Sequence, residues 1–196
     1  MSKKISRRDF IKTTAAAGGA AALMPQTIFS SQNKKNLRVG FIGTGLRGQW
    51  MLWLATKYPD VEIPAICDID DGMISAALKI IKDSGRAEPK VYKRNDEDFR
   101  NLVKNEELDG VYIATPWEWH HPMAIAAMKE GIHVGTEVPA ALTVNECWDL
   151  VNVSENTGKF CMIMENVCYR RDVMAVLNMV RRNMFGELLH CQGGYQ

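Results

Sequence analysis

The sequence has five cysteines, Cys67, Cys147, Cys161, Cys168 and Cys191, an odd number with no Cys-x-x-Cys pair. That argues against a zinc ribbon or a fully paired disulfide framework, and the apolar neighbours of most of them predict buried thiols. Net charge is scarce as well. The whole chain carries +1, and the first thirty residues hold five Lys/Arg against one Asp, so the rest lies near −3. Such a balance gives no electrostatic reason for a nucleic acid or an anionic membrane surface to bind. No internal repeat or low-complexity tract interrupts the pattern. No Asp, Glu or Cys stands at ligand spacing from the His120-His121 pair, so a metal site is unsupported.

What is present begins with Ser6-Arg7-Arg8-Asp9-Phe10-Ile11-Lys12, paired arginines followed by an apolar residue and a lysine. The run Thr13 to Pro25 is rich in Ala and Gly and too short to span a bilayer as a helix. Together they predict a twin-arginine export signal over residues 1–32, read by the twin-arginine export machinery and leading to the periplasm. The competing reading is a basic N-terminus that happens to contain Arg-Arg. Cleavage is expected near Ser30 to Asn33, although no clean Ala-x-Ala site occurs there.

Beyond a short linker, strand and helix patterns alternate. Strands are predicted at Leu37 to Ile42, Val61 to Cys67, Lys90 to Tyr92, Gly110 to Ala114, Ile132 to Thr136 and Phe160 to Met164. Helices are predicted to Lys57 after the first glycine turn, then over about 70–84, 96–104 and 123–130, and from Thr143. Thr143 and Glu146 have capping-box spacing. Near-continuous apolar strands separated by helices imply a doubly wound α/β domain with a parallel sheet covered on both faces, assigned to residues 33–164. Residues 165–196 read as the start of a second, α+β domain, with a helix from Arg171 to Met184, a stop at Gly186 and an apolar strand from Glu187 to Tyr195. With nothing to cover that strand, the sequence reads as truncated.

Gly43-Thr44-Gly45-Leu46-Arg47-Gly48 is Gly-x-Gly-x-x-Gly between the first strand and the first helix. Glycines there permit a tight turn and close backbone approach to a pyrophosphate at a helix N-terminus. Asp68, twenty residues after Gly48, ends the second strand, where an acid accepts hydrogen bonds from an adenosine ribose and favours NAD over NADP. Arg47 keeps NADP open as the lesser alternative. The bland reading of Asp68 is a helix cap or turn acid.

Thr115 to Pro122 follows the fourth strand and is expected to be a loop lining the ligand crevice. In the bland reading Trp117 and Trp119 pack a domain interface and His120 is a satisfied structural histidine.

Thr115-Pro116 with His120 and Ala124, followed by Gly131-Ile132-His133-Val134 and Glu137-Val138-Pro139, resembles the Gfo/Idh/MocA oxidoreductase family over residues 37–196. That family's usual tripeptide is Glu-Lys-Pro, whose lysine assists proton transfer. Val138 replaces it here and can neither donate nor relay a proton. With Trp117-Glu118-Trp119-His120 and Glu165-Asn166-Val167-Cys168-Tyr169, the chain is similar to the glycoside hydrolase family 109 branch, NAD-dependent α-N-acetylgalactosaminidases. The resemblance implies NAD contacts from Leu46, Arg47, Asp68, Trp117, Glu118, Trp119, His120, Glu137, Val138 and Asn166. It implies a sugar contact from Tyr195 on an N-acetylgalactosamine-containing glycan.

For an exported enzyme, away from a replenished nicotinamide pool, the cofactor must be regenerated in place. The mechanism implied by the resemblance does so: C3 of the sugar is oxidised, the C2 proton and C1 leaving group depart, water adds, and the hydride returns. The catalytic base is not identified. Tyr169 and Tyr195 are candidates, each equally readable as a structural tyrosine. An oxidoreductase that keeps NAD(P) bound, and a non-catalytic sugar- or NAD-binding module, are the competing functions. A homo-oligomer is left open.

Overall fold

The computed structural model describes residues 36–192 and 194. Among the described residues seven strands form one sheet in which every pairing is parallel. They are β1 (Leu37–Ile42), β2 (Val61–Glu62), β3 (Ala65–Cys67), β4 (Lys90–Tyr92), β5 (Gly110–Ile113), β6 (His133–Thr136) and β7 (Cys161–Ile163). The helices are α1 (Leu46–Ala55), α2 (Asp71–Asp83), α3 (Phe99–Asn105), α4 (Trp117–Lys129), α5 (Val144–Thr157) and α6 (Arg171–Arg181). The sheet order is β4-β3-β1-β5-β6-β7, with β2 also on β1.

The single predicted second strand is split by a bulge. Leu37 pairs Val61 and Arg38 pairs Glu62, but Phe41 pairs Ile66, so one extra residue is absorbed at Ile63-Pro64. Pro64 has no N–H for the ladder, which makes it a suitable place for the break.

Period-two alternation sends neighbouring side chains to opposite faces. Phe41 and Tyr112 pack with Leu52, Ile74, Ala77 and Ile81 of α1 and α2. Ile42, Val111 and Ile113 pack with Phe99, Leu102, Ala124, Met128 and Leu150 of α3, α4 and α5. Each fully buried Leu, Ile or Phe in these layers contributes about 1.5–3 kcal/mol of transfer free energy. Caps set the helix starts: the Asp70 carboxylate accepts from the Met73 N–H, and Thr143 and Glu146 complete both halves of a capping box.

Three sequence expectations change. Thr115 to Pro122 is not a loop: α4 starts at Trp117, so Trp-Glu-Trp-His-His forms its first turns. Pro122 sits inside this helix and forgoes only one intrahelical bond there, and the buried face of Met123, Ala124, Ala127 and Met128 holds the element together. Residues 187–192 form no strand, because no described residue offers a backbone partner, and Leu189 is exposed. All five cysteines are free, but only Cys67 is buried; Cys147, Cys168 and Cys191 are exposed, since apolar neighbours in sequence do not decide which face a thiol occupies. The export signal at residues 1–32 lies outside the described residues.

Candidate functional site

Between β1 and β5 the strand order reverses, with β3 on one side of β1 and β5 on the other. The chain leaves β1 for a helix on one face and β5 for a helix on the opposite face, which opens a crevice beyond their carboxyl ends. A cavity of about 320 Å³ lies there, lined among others by Gly43, Gly45, Asp68, Asp96, Thr115 and Trp119.

The three glycines have separate reasons. Gly43 has φ +87°, and a Cβ there would lie 2.5 Å from the Ala114 carbonyl oxygen. A Cβ on Gly48 would lie 2.0 Å from the Gly43 carbonyl oxygen, so α1 packs on the turn only without one. Gly45, the residue before α1, is different: an added Cβ meets nothing within 4 Å. The α1 first turn contains no acidic residue, and its free N–H groups favour a negative charge. Open space at Gly45, on the cavity wall beside such a terminus, fits a pyrophosphate.

Asp68 serves the turn as well as the cavity. Its Oδ2 accepts from the Thr44 N–H at 2.5 Å and the Thr44 hydroxyl at 3.0 Å, and its Oδ1 accepts from the Asp70 N–H at 3.0 Å. Thr44 is fully buried. A carboxylate offers about four acceptor positions, so one remains, on Oδ1, for a ribose hydroxyl. The turn-acid reading and the ribose reading are therefore compatible, and the α2 cap is Asp70 instead. The lining residues include Asp68 and Asp96 and, among the described residues, no lysine or arginine. Cys67, also on this wall, is held as a thiol: burial, with the negative charges of Asp98 and Asp68, pushes its pKa up to about 12.

A second cluster lies over the ends of β5, β6 and β7. Arg47 Nε, on the α1 first turn, donates to Glu137 Oε1 at 2.7 Å, and its other nitrogen donates to Asn166 Oδ1 at 3.4 Å. The guanidinium also lies 5.2 Å from the Trp50 ring centroid. Tyr112 Oη donates to the same Glu137 oxygen. Burial raises the Tyr112 pKa and the Glu137 carboxylate raises it further, so the phenol keeps its proton. For Arg47 burial disfavours the charge, but the bond to Glu137 outweighs it and the pKa rises.

The remaining predicted residues are dispersed. Trp119 reaches the cavity and meets Phe99 edge to face at 6.1 Å. Leu46, Trp117 and Glu118 are exposed at the starts of α1 and α4. Val138 lies on a separate apolar groove against α5, with Cys147 and Cys161. Tyr169 is exposed, and Tyr195 lies outside the described residues. His120 is set deeper than these residues. It is 1 % exposed, and its ring nitrogens lie 2.7 Å from the Pro139 carbonyl oxygen and 2.8 Å from that of Thr115. The ring thus lies between the start of α4 and the Glu137-Val138-Pro139 segment, and whichever nitrogen carries the proton donates to the carbonyl beside it.

Residues 37–165 match the family described as the oxidoreductase family with an NAD-binding Rossmann fold. The chain belongs to the Gfo/Idh/MocA oxidoreductase family. Residues 169–196 of this Gfo/Idh/MocA chain match the glycosyl hydrolase 109 C-terminal domain, and residues 4–24 match a twin-arginine translocation signal. It is 51 % identical to a glycosyl hydrolase family 109 protein of Parabacteroides distasonis, over 97 % of this chain and 44 % of that protein. It is 50 % identical to an alpha-N-acetylgalactosaminidase of Tannerella forsythia, over 97 % of this chain and 45 % of that one. The chain thus spans less than half the length of these curated relatives. In fold it is similar to scyllo-inositol dehydrogenase from Lactobacillus casei, solved with NAD(H) and scyllo-inositol, with a TM-score of 0.68 and 19 % identity over 78 % of this chain and 43 % of that one.

Three contributors were not legible in the sequence. Thr44 fills a variable position of the glycine motif, Tyr112 sits within an apolar strand, and Asp96 lies in a polar stretch that pattern alone does not join to Asp68. Only the pairing of β3 with β4 and of β1 with β5 brings them to the site.

Proposed function

We propose that the full-length protein is an NAD-dependent glycosidase that releases terminal α-N-acetylgalactosamine, exported by the twin-arginine route to the periplasm. The observation that carries the cofactor part is the open cradle at Gly45 beside the acid-lined cavity; the substrate part rests on the relative named alpha-N-acetylgalactosaminidase. In this reading NAD supplies a hydride acceptor that takes hydrogen from the sugar and gives it back, so none is consumed.

The chain's own residues do the holding. Gly43, Gly45, Gly48 and the α1 N-terminus receive the pyrophosphate, and Asp68 Oδ1 accepts a ribose hydroxyl. A 2′-phosphate is disfavoured because Asp68 and Asp96 border the cavity while Arg47 is engaged by Glu137 and Asn166. That favours NAD over NADP. Arg47, Glu137 and Asn166 border the reactive end, over the carboxyl ends of the strands. Val138 has no proton to give, so proton transfer falls to other groups, with Tyr169 and Tyr195 the candidates within this chain.

The test is hydrolysis of an aryl α-N-acetylgalactosaminide by the full-length protein with no added NAD. Repeated aryl release without NADH accumulation is expected. No aryl release, with bound NAD becoming reduced when free sugars are supplied, would make the protein a sugar oxidoreductase instead.

A further inference from the structure

We infer that Tyr112 is a positioning residue, which holds the Glu137 carboxylate so that one of its oxygens is committed to the protein and the other is presented to the bound dinucleotide. The inference rests on the NAD reading above and adds a residue that no sequence motif marks.

The two carboxylate oxygens of Glu137 have different surroundings. Oε1 accepts from both Arg47 Nε and Tyr112 Oη. Oε2 receives no donor among the described residues and is not shut away from solvent. An oxygen that is open to solvent and has no protein donor can take a hydrogen bond from a ligand without breaking one inside the protein. Two donors converging on one oxygen also fix the plane of the group, so the free oxygen has a set position. Arg47 alone does not fix it, because its side chain is 37 % exposed and long. Tyr112 does: it is 5 % exposed, its backbone is locked in β5 between β1 and β6, and its ring packs on Phe41 with centroids 5.7 Å apart. The phenol is thus the rigid donor and the guanidinium the adjustable one.

Glu137 follows directly on β6, its N–H bonded to the Ile113 carbonyl oxygen at 2.9 Å, so the carboxylate stands over the carboxyl end of the sheet where ligands of this fold bind. Ribose hydroxyls and a carboxamide N–H₂ are donors of the kind Oε2 lacks.

A double-mutant cycle on NADH binding by the full-length protein tests this, read by energy transfer from tryptophan to the bound nicotinamide. Tyr112→Phe keeps the ring and its packing and removes only the donor. It is expected to weaken NADH binding about tenfold in the wild-type background. In a Glu137→Ala background the same change is expected to alter binding less than about twofold, because there is no acceptor left to hold. Equal weakening in both backgrounds would overturn the positioning role and leave Tyr112 as packing alone, as would no weakening in the wild type. A wild-type protein that binds no NADH would overturn the cofactor reading itself, and this inference with it. Thermal unfolding of each variant separates lost binding from lost fold, and Arg47→Lys provides a second cycle should Glu137→Ala not fold.

Discussion

Arg47 Nε and Glu137 Oε1, ninety residues apart in the chain, meet at 2.7 Å and tie the first turn of α1 to the end of β6. Arg47→Ala leaves Glu137 with Tyr112 as its one remaining donor among the described residues and removes the bond to Asn166. The arginine is more than a third exposed, so solvent screening limits its contribution to stability to about 1 kcal/mol or less. NADH binding is expected to weaken more than stability does, by roughly tenfold. Isothermal titration beside thermal unfolding measures both.

Gly45 and Gly48 give opposite outcomes when replaced by alanine. Gly45→Ala meets open space, so stability is expected to change by about 1 kcal/mol or less, while NADH binding drops at least tenfold because the methyl group occupies the cradle. Gly48→Ala drives a methyl group into the Gly43 carbonyl and costs stability first, roughly 2–4 kcal/mol. Chemical denaturation of the two variants distinguishes a ligand glycine from a packing glycine.

Asp68→Asn replaces an acceptor with a mixed amide beside the Thr44 N–H. Whichever way the amide points, the Thr44 hydroxyl and N–H and the Asp70 N–H cannot all be satisfied as they are by a carboxylate. A loss of about 1–3 kcal/mol in stability is expected, together with a lower preference for NADH over NADPH. The ratio of the two dissociation constants is the measurement, and Asp96 is expected to keep it above unity.

Acid stability depends in part on Asp98. Burial alone would raise this carboxyl's pKa, but hydrogen bonds from the Arg94 N–H at 2.9 Å and the Asn101 side chain at 2.7 Å, with the Arg94 charge, lower it below the usual range. A depressed folded value means the contribution is present above the unfolded pKa of about 4 and is lost as pH falls through the folded value. Asp98→Asn is therefore expected to lower stability at neutral pH and to flatten the acid limb of a stability–pH profile. Unfolding midpoints between pH 3 and 7 for both proteins provide the comparison.

The places where sequence reading succeeded are those where the local signal and the tertiary fold agree. Leu37–Ile42 and Lys90–Tyr92 are strands with the predicted bounds, and Thr143 caps α5 with the bonds its spacing implies. Gly43, Gly45, Gly48 and Asp68 converge because a strand, a tight turn and a parallel neighbour leave little freedom. Sequence reading failed where long-range contact decides. Thr115 to Pro122 reads as a crevice loop, yet the buried face of α4 starts a helix at Trp117 and outweighs the bond missing at Pro122. Apolar residues after Glu187 read as a strand, but a strand needs a partner. His120 reads as a ligand residue from its motif, and only the fold sets its ring between the Thr115 and Pro139 carbonyl oxygens. Tyr112 reads as core, and only the arrival of Glu137 from β6 gives its hydroxyl a role.

The central claim is that hydride leaves the sugar and returns to it, and an isotope measurement on the full-length protein tests this most directly. An aryl α-N-acetylgalactosaminide is hydrolysed in D₂O without added NAD, and the released sugar is examined by NMR. Deuterium at C2 with hydrogen retained at C3 is the predicted result, because the C2 proton is lost to solvent and the C3 hydride is restored. Released sugar that keeps its original hydrogen at C2 would contradict the account and indicate ordinary displacement at C1.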